Sequence, residues 1–520
     1  MSEFKFACPI CEQRLAANDD DAGYQINCPA CQAVIVVPSN PAGPAAAPAS
    51  VPADGLKKET PPRRQRAAPT VFGWMVRGLV VLVLLLICIF SWWRLLLYHH
   101  VNTQFDRIRA AGYPVSGAEL NAWRRPVPDP ENGALVITQA FALIRTFPDN
   151  RSNEVVGTKV SRTNQWSAAT RGLVAAYVQT NAPAFAKVRE AFQLSQFRYP
   201  ADFSFGPETD MHYVAQLKQM AIIAELAAAL DAEEGHADEW TEPVELQLKL
   251  AGTLDGEPAV IPYLVRVAVI RMAVKSAERS LNRVSPGDEA CRRLQASFTR
   301  AGGTNTLPLA LIGERAVFIP VFRLSTKEFQ AYSRDDQAAS PPAGPVRFSG
   351  KPMPFVFLTG FFERDLNFYL QTMDKSISLA ALPPPASLAL TNYFQSASVV
   401  ARKGLYPFSG MLLPSLSKVI LKEAALQADV RLAATALAVE RFRRAQGRLP
   451  GGLEELAPQF PDAVPADPFD GAPLRYRRLA RGYVIYSIDA DGRDDGGREP
   501  PERKESGDKT SYDQTFTVER

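Results

Sequence analysis

Between Arg77 and Arg94 the chain reads GLVVLVLLLICIFSWW, a stretch with no charged residue. A helix rises about 1.5 Å per residue, so the hydrocarbon core of a bilayer takes roughly 20 mostly apolar residues. The uncharged stretch alone is short. Val71–Val76 and Leu95–Tyr98 extend its apolar character on both sides, and Arg77 and Arg94 can snorkel to the headgroups. Trp74, Trp92, Trp93 and Tyr98 sit near the ends, where amphipathic rings favour the interface. The segment begins past residue 70 and no small-residue cleavage site follows it, unlike a signal peptide. The pattern predicts one transmembrane helix over residues 71–98.

Beyond it, the apolar positions recur at helical spacing through residues 99–415, predicting a mainly α-helical body. Ser116-Gly117-Ala118-Glu119 and Ser325-Thr326-Lys327-Glu328 read as capping boxes. Asp129-Pro130-Glu131 reads as an N-cap, an N1 proline and an acidic first turn before a helix at Ala134–Phe147. Further helices are expected at Met211–Glu234, Val244–Ala251, Pro258–Leu281, Asp288–Thr299, Phe361–Leu382 and Leu416–Gln446. Gly235 and Gly447 end two of them, and residues 333–354 read as a loop. The alanine and aromatic positions around Gly235 do not recur at a 34-residue period, so no repeat array is expected. Arg266 and Arg271 interrupt the apolar stretch at 259–274, which argues against a second span there.

The pattern changes again in residues 416–520. After the long helix come Gly447-Arg448-Leu449-Pro450, a short helix at Leu453–Leu456, two strands at Leu474–Leu479 and Tyr483–Ile488, and a last strand at Tyr512–Val518. This predicts a small α+β domain.

Residues 1–37 carry Cys8-Pro9-Ile10-Cys11 and Cys28-Pro29-Ala30-Cys31 between short extended pieces. Two C-x2-C knuckles at this separation match zinc-site spacing, each turning two thiolates toward one ion. Two disulfides are the alternative, disfavoured in a reducing compartment. The segment resembles the short β zinc ribbons at the N-termini of many bacterial proteins, which implies a structural zinc held by Cys8, Cys11, Cys28 and Cys31. Lys5 and Arg14 are outweighed by Glu3, Glu12, Asp19, Asp20 and Asp21, so nucleic acid is not an expected partner. Residues 38–70 are rich in proline and alanine and predict a disordered basic linker reaching at most about 100 Å.

Charge then orients the chain. The 21 residues from Lys57 to Arg77 carry six Lys or Arg, and the 21 starting at Arg94 carry three. The positive-inside rule places the N-terminus in the cytoplasm and the large C-terminal part outside a bacterial inner membrane. The net charge of +3 says nothing about a nucleic-acid partner.

The order of pieces in residues 425–518 is similar to that of the G-type major pseudopilins of type II secretion. GRLP, DPFDGAPLRY and YSIDADGRDDGG carry the resemblance, and the tail also looks like that of many large bacterial envelope proteins. It implies the pseudopilin head fold. It does not imply polymerisation, because the helix at Leu416–Gln446 is internal, amphipathic and charged rather than a hydrophobic N-terminal helix. Pseudopilins bind calcium in the loop that Asp489, Asp491, Asp494 and Asp495 crowd here. Two readings stand, a Ca²⁺ site of hard carboxylate oxygens and a solvated acidic turn screened by water and salt. The glycine spacing is not that of an EF-hand.

Candidate chemistry is otherwise sparse. GxSxG, HExxH and Walker A motifs are absent from the sequence, and His99, His100, His212 and His236 read as interfacial, capping or turn residues. Gly313-Glu314-Arg315 reads as a local ion pair, and no catalytic residue is assigned. The expectation is a multi-domain, single-pass envelope scaffold that contacts lipid and protein partners, near secretion or pilus-like machinery. An envelope enzyme with a site in the helical body, and a transmembrane signalling protein with the ribbon as output, are the alternatives.

Overall fold

The computed structural model describes residues 3–39, 71–146, 155, 162–323, 360–459, 464–499 and 512–520. The capping box at Ser325, the loop at 333–354 and the linker from residue 40 onward lie outside them. The chain divides into two compact units, Met1–Val80 and Val81–Arg520.

The first unit contains two antiparallel hairpins. β1 (Glu3–Ala7) pairs with β2 (Arg14–Asn18), and β3 (Gln25–Asn27) pairs with β4 (Val34–Val36). Its apolar interior is small: Phe4, Ala17 and Val37 form one cluster, and Ile35 packs with Cys8 and Cys28 in another.

Helix α1 runs unbroken from Val71 to Ala110, twelve residues past the predicted end. Its most apolar window has no surface covered by protein, whereas Val101, Phe105 and Ile108 in its last turns are buried in the body's core. Among the described residues, two helices are long and apolar enough to cross a membrane by length and composition, Gly73–Ala110 and Tyr213–Glu234, and the bent pair Asp288–Gly303 with Leu307–Phe322 would make a third if taken as one span. The second has 61% of its apolar window covered by the protein itself.

The body is mostly helical. Helix α2 (Gly117–Trp123) starts as the capping pattern predicts, with the Glu119 N–H donating to Ser116 Oγ at 3.2 Å. The Glu119 carboxylate reaches one residue further back than expected, to the Val115 N–H, and also pairs with Arg109. Asp129–Glu131 forms a 3₁₀ turn, and helix α3 (Gly133–Phe141) is capped instead by Asn132, whose Oδ1 accepts the Ala134 N–H. Asn132 also holds Arg198 through both backbone groups, a tertiary tie that a local capping pattern does not reveal.

Helices α4 (Ala168–Thr180) and α5 (Ala182–Ala191) lead to α6 (Tyr213–Glu234), α7 (Thr241–Gly252) and α8 (Val260–Leu281), which pack on one another. Gly235 ends α6 at φ +83°, the left-handed conformation glycine adopts without steric cost. Helix α9 (Asp288–Gly303) and helix α10 (Leu307–Phe318) follow. Gly313 sits where α10 crosses the backbone of Pro258; a Cβ there would fall 1.6 Å from the carbonyl oxygen. Helices α11 (Phe361–Ala380), α12 (Ala389–Lys403) and α13 (Pro407–Gln446) lie further along the chain.

Helix α13 is not amphipathic in the fold. From Leu426 to Glu440 every residue but Arg431 is buried. Helices α8, α9, α11 and α12 pack around it, together with an antiparallel sheet of β5 (Arg475–Arg478), β6 (Tyr483–Ser487) and β7 (Gln514–Val518) in the order β5-β6-β7. Ile485 faces Tyr476 on one neighbour and Phe516 on the other. Central β6 is buried along its whole length, as its continuous apolar run requires. Buried Asp467 fixes the entry to this sheet, accepting from Ser487 Oγ at 2.8 Å and from the Ile488 and Phe469 N–H groups, and pairing with Arg475 at 2.5 Å. One apolar core runs from Val101 to Val518.

A buried ion pair inside that core is held by several further hydrogen bonds. Arg124 and Glu257 meet at 2.6 Å, both fully enclosed. Arg124 also donates to the Tyr199 and Ala201 carbonyls, while Glu257 accepts from the Tyr199 N–H and the Tyr213 hydroxyl. Burial pushes the Glu257 carboxyl upward, and Arg124 pulls it back. Removing one member leaves the other charge enclosed, which costs far more than the pair itself stabilises. Glu257→Ala is therefore expected to lower stability by about 3–5 kcal/mol. Arg124→Met combined with Glu257→Leu should recover part of that loss, read as the midpoint of thermal unfolding in detergent.

Candidate metal centre

Each cysteine knuckle closes in the same way. The Cys8 N–H donates to the Gln13 carbonyl and the Glu12 N–H to the Cys8 carbonyl, both at 2.9 Å. The Cys28 N–H donates to Ala33 at 2.9 Å and the Gln32 N–H to Cys28 at 2.7 Å. Glu12 and Gln32 both take left-handed backbone, φ +61° and +58°, one residue after the second cysteine of each pair. This turn bends the backbone around the sulfurs so that both thiols of a pair face one point. Cys8 and Cys28 are buried, whereas Cys11 and Cys31 are exposed.

The four sulfurs converge within 4.8 Å of one another. Cys8 Sγ lies 3.9 Å from Cys31 Sγ, and Cys11 Sγ lies 3.7 Å from Cys28 Sγ. A tetrahedron of sulfurs about 2.3 Å from a zinc ion has edges of about 3.8 Å. A disulfide requires about 2 Å between sulfurs, and all four cysteines are free thiols. The expected pairing of knuckles around a single centre is therefore present, and the cluster can hold a metal ion such as zinc. Backbone N–H groups of Cys31 and Ala30 bring the Cys28 thiol down to about 6, while the neighbouring Cys11 thiol is pushed up to about 12, so one thiol of this pair is favoured as a thiolate.

The acidic loop is arranged differently. Asp489 accepts the Ala490 N–H, Asp491 the Arg493 N–H and Asp494 the Gly496 N–H, so three carboxylates cap their own turns. Asp494 lies 3.9 Å from Arg475, and Asp495 is half-buried. Among the described residues, the four cysteines alone form a group of three or more side chains with metal-ligand convergence; Asp489, Asp491, Asp494 and Asp495 do not.

The remaining candidates are dispersed. His212 Nδ1 lies 2.7 Å from Asp210 on the surface, His236 is 3.5 Å from Asp231 in a turn, and His99 and His100 are exposed on α1. Burial raises the Cys291 thiol to about 12, leaving it inert. The sequence reading of Gly313-Glu314-Arg315 as a local ion pair is corrected: Arg315 pairs with Asp374 of α11. Burial raises the Glu314 carboxyl to about 7, offset in part by a hydrogen bond from the Val260 backbone. A cavity of ≈ 120 Å³ lies between Lys249, Asp255, Arg266 and Arg300, with Asp255 and Arg266 joined at 2.6 Å. A second, of ≈ 70 Å³, lies beside Phe203, Met211 and Glu314. Each has the volume of a few waters.

The chain matches no protein-family model, no curated protein and no solved structure, so the pseudopilin resemblance of residues 425–518 is not carried by a family match.

Proposed function

We propose that this chain is a single-pass, membrane-anchored envelope protein that works as a scaffold, with a zinc ribbon in the cytoplasm and a helical body outside. The observation that carries the reading is helix α1, bare over its apolar window and buried at Val101, Phe105 and Ile108. An uncovered apolar surface of that length is unfavourable in water and suits lipid. The other candidate helix, Tyr213–Glu234, is surrounded largely by protein and belongs to the body. The cytoplasmic placement rests on the six-to-three excess of Lys and Arg before the span. Zinc is the favoured ion because four thiolates at tetrahedral spacing close its coordination shell, leaving no open position for catalysis. The long helix followed by a three-stranded sheet supports carrying over a pseudopilin-like head fold. Partnership with secretion or pilus-like machinery rests on that likeness alone.

Full-length protein in detergent is expected to hold one zinc per chain by metal analysis, and Cys8→Ser with Cys11→Ser to hold none. Zinc-free wild-type protein would overturn the ribbon reading. Protease added to spheroplasts is expected to digest the body and spare the ribbon. A protected body would reverse the topology.

A further inference from the structure

The junction of α12 and α13 carries an apolar tip that is exposed among the described residues. Leu405 is 68% exposed, and Val399, Val400 and Met411 beside it are 40–50% exposed. Leu405 also has φ +57°, a conformation in which a branched side chain is rarely found. Gly404 before it lies where a Cβ would come within 2.5 Å of the Tyr406 ring. The tight turn therefore presents Leu405 outward and gains no packing by doing so.

This tip is tied directly to the exit of α1. Arg94 on α1 pairs with Glu363 at 2.7 Å, and Gly360 at the start of α11 leaves no room for a Cβ against Arg94 and Leu97. One residue on from Glu363, Arg364 reaches the Gly404 carbonyl and the Tyr406 hydroxyl. Phe368 stacks on Tyr406 with ring centroids 4.6 Å apart. Asp365 accepts the Phe408 and Ser409 N–H groups and so caps α13 from a neighbouring helix. The first turn of α11 thus fixes the tip to α1 near Arg94. On α1, Leu95, Leu96 and Tyr98 past that level are still exposed.

Charge favours the same occupant. From Lys375 to Lys422 the chain has five basic residues and no Asp or Glu. Arg402 and Lys403, both exposed, flank the tip. Apolar side chains at a turn with a basic collar match the acyl boundary below and phosphate headgroups around it.

We propose that residues 399–411 form a second lipid contact, with Leu405 inserted at the headgroup–acyl boundary and Arg402 and Lys403 on lipid phosphates, seating the body against the bilayer. The proposal rests on the reading of α1 as the membrane span.

The test uses full-length Cys88→Ser protein with zinc bound, reconstituted in phosphatidylcholine vesicles containing phosphatidylglycerol. A spin label is placed at Leu86→Cys, Leu405→Cys or Phe205→Cys, the last an exposed position on the body. Accessibility to oxygen is compared with accessibility to a water-soluble nickel chelate. The label at 405 is expected to favour oxygen several-fold over the label at 205, and less than the label at 86. Replacing phosphatidylglycerol with phosphatidylcholine, or introducing Arg402→Gln with Lys403→Gln, should reduce the 405 ratio while leaving 86 unchanged. If 86 reads lipid and 405 is as open to the chelate as 205, the lipid contact is overturned and the tip faces water or a protein. If 86 itself reads water, the span has failed, and this inference with it.

Discussion

The body depends on enclosing one helix from all sides. Helix α13 is buried on every face between Leu426 and Glu440, and a helix so buried needs neighbours all round. They come from distant parts of the chain: α8, α9, α11 and α12, and the sheet near the C-terminus. Its polar residues then act as fixed points. Glu423 accepts from the Tyr263 hydroxyl at 2.6 Å, Gln427 donates to the Gly302 carbonyl, Asp429 pairs with Arg271, and Glu440 accepts from Tyr483 and pairs with Arg520. Together these bonds tie the central helix to α8 at two points, to α9, to β6 and to the C-terminal residue Arg520. A buried polar group without its partner costs more than a satisfied one contributes, so these pairs help to set how neighbours register on α13.

That arrangement explains which parts of the fold were legible in the sequence. Long helices with end signals are found within a few residues, as at Tyr213–Glu234, Val260–Leu281 and the Gly447 terminus of α13. The strands flanking Gly482 were legible because two short runs, alternating in β5 and apolar in β6, are separated by the Arg481-Gly482 turn. Helix α10 was hidden by Pro308 and Gly313, residues that ordinarily argue against a helix. Proline is tolerated there in the first turn, and glycine is required by the crossing over Pro258. Helix α12 was hidden by Thr391, Asn392, Ser396, Ser398, Val399 and Val400, all weak helix formers, and contact with α13 outweighs that preference. The burial of α13 on all faces was misread as amphipathicity, because its charges are at the ends or internally paired.

The cysteine cluster was legible for a different reason. Two knuckles with identical spacing specify a local geometry that does not wait for distant packing. The first unit needs such a constraint: its apolar clusters comprise only a few side chains, and small domains without a sufficient core depend on metals or disulfides. The acidic loop has no comparable constraint. Its aspartates accept N–H groups of their own turns, and the same residues in a calcium site would have to turn their oxygens toward one point. Crowded carboxylates in sequence therefore say little about where the oxygens go, whereas paired C-x2-C knuckles say a great deal.

Helix α1 joins the two kinds of reasoning. Its apolar window follows from composition, but its length does not, because the helix changes environment without changing conformation. Between Tyr98, exposed, and Val101, buried, the covering passes from whatever surrounds the window to the body's own core within one turn. No loop or glycine intervenes, so the bare apolar segment and the core-facing segment share one rigid axis. A flexible connection would leave the body free to tilt. A continuous helix, held at Arg94 by Glu363 and at Arg109 by Glu119, restricts that freedom and makes the orientation of the body a property of the helix itself.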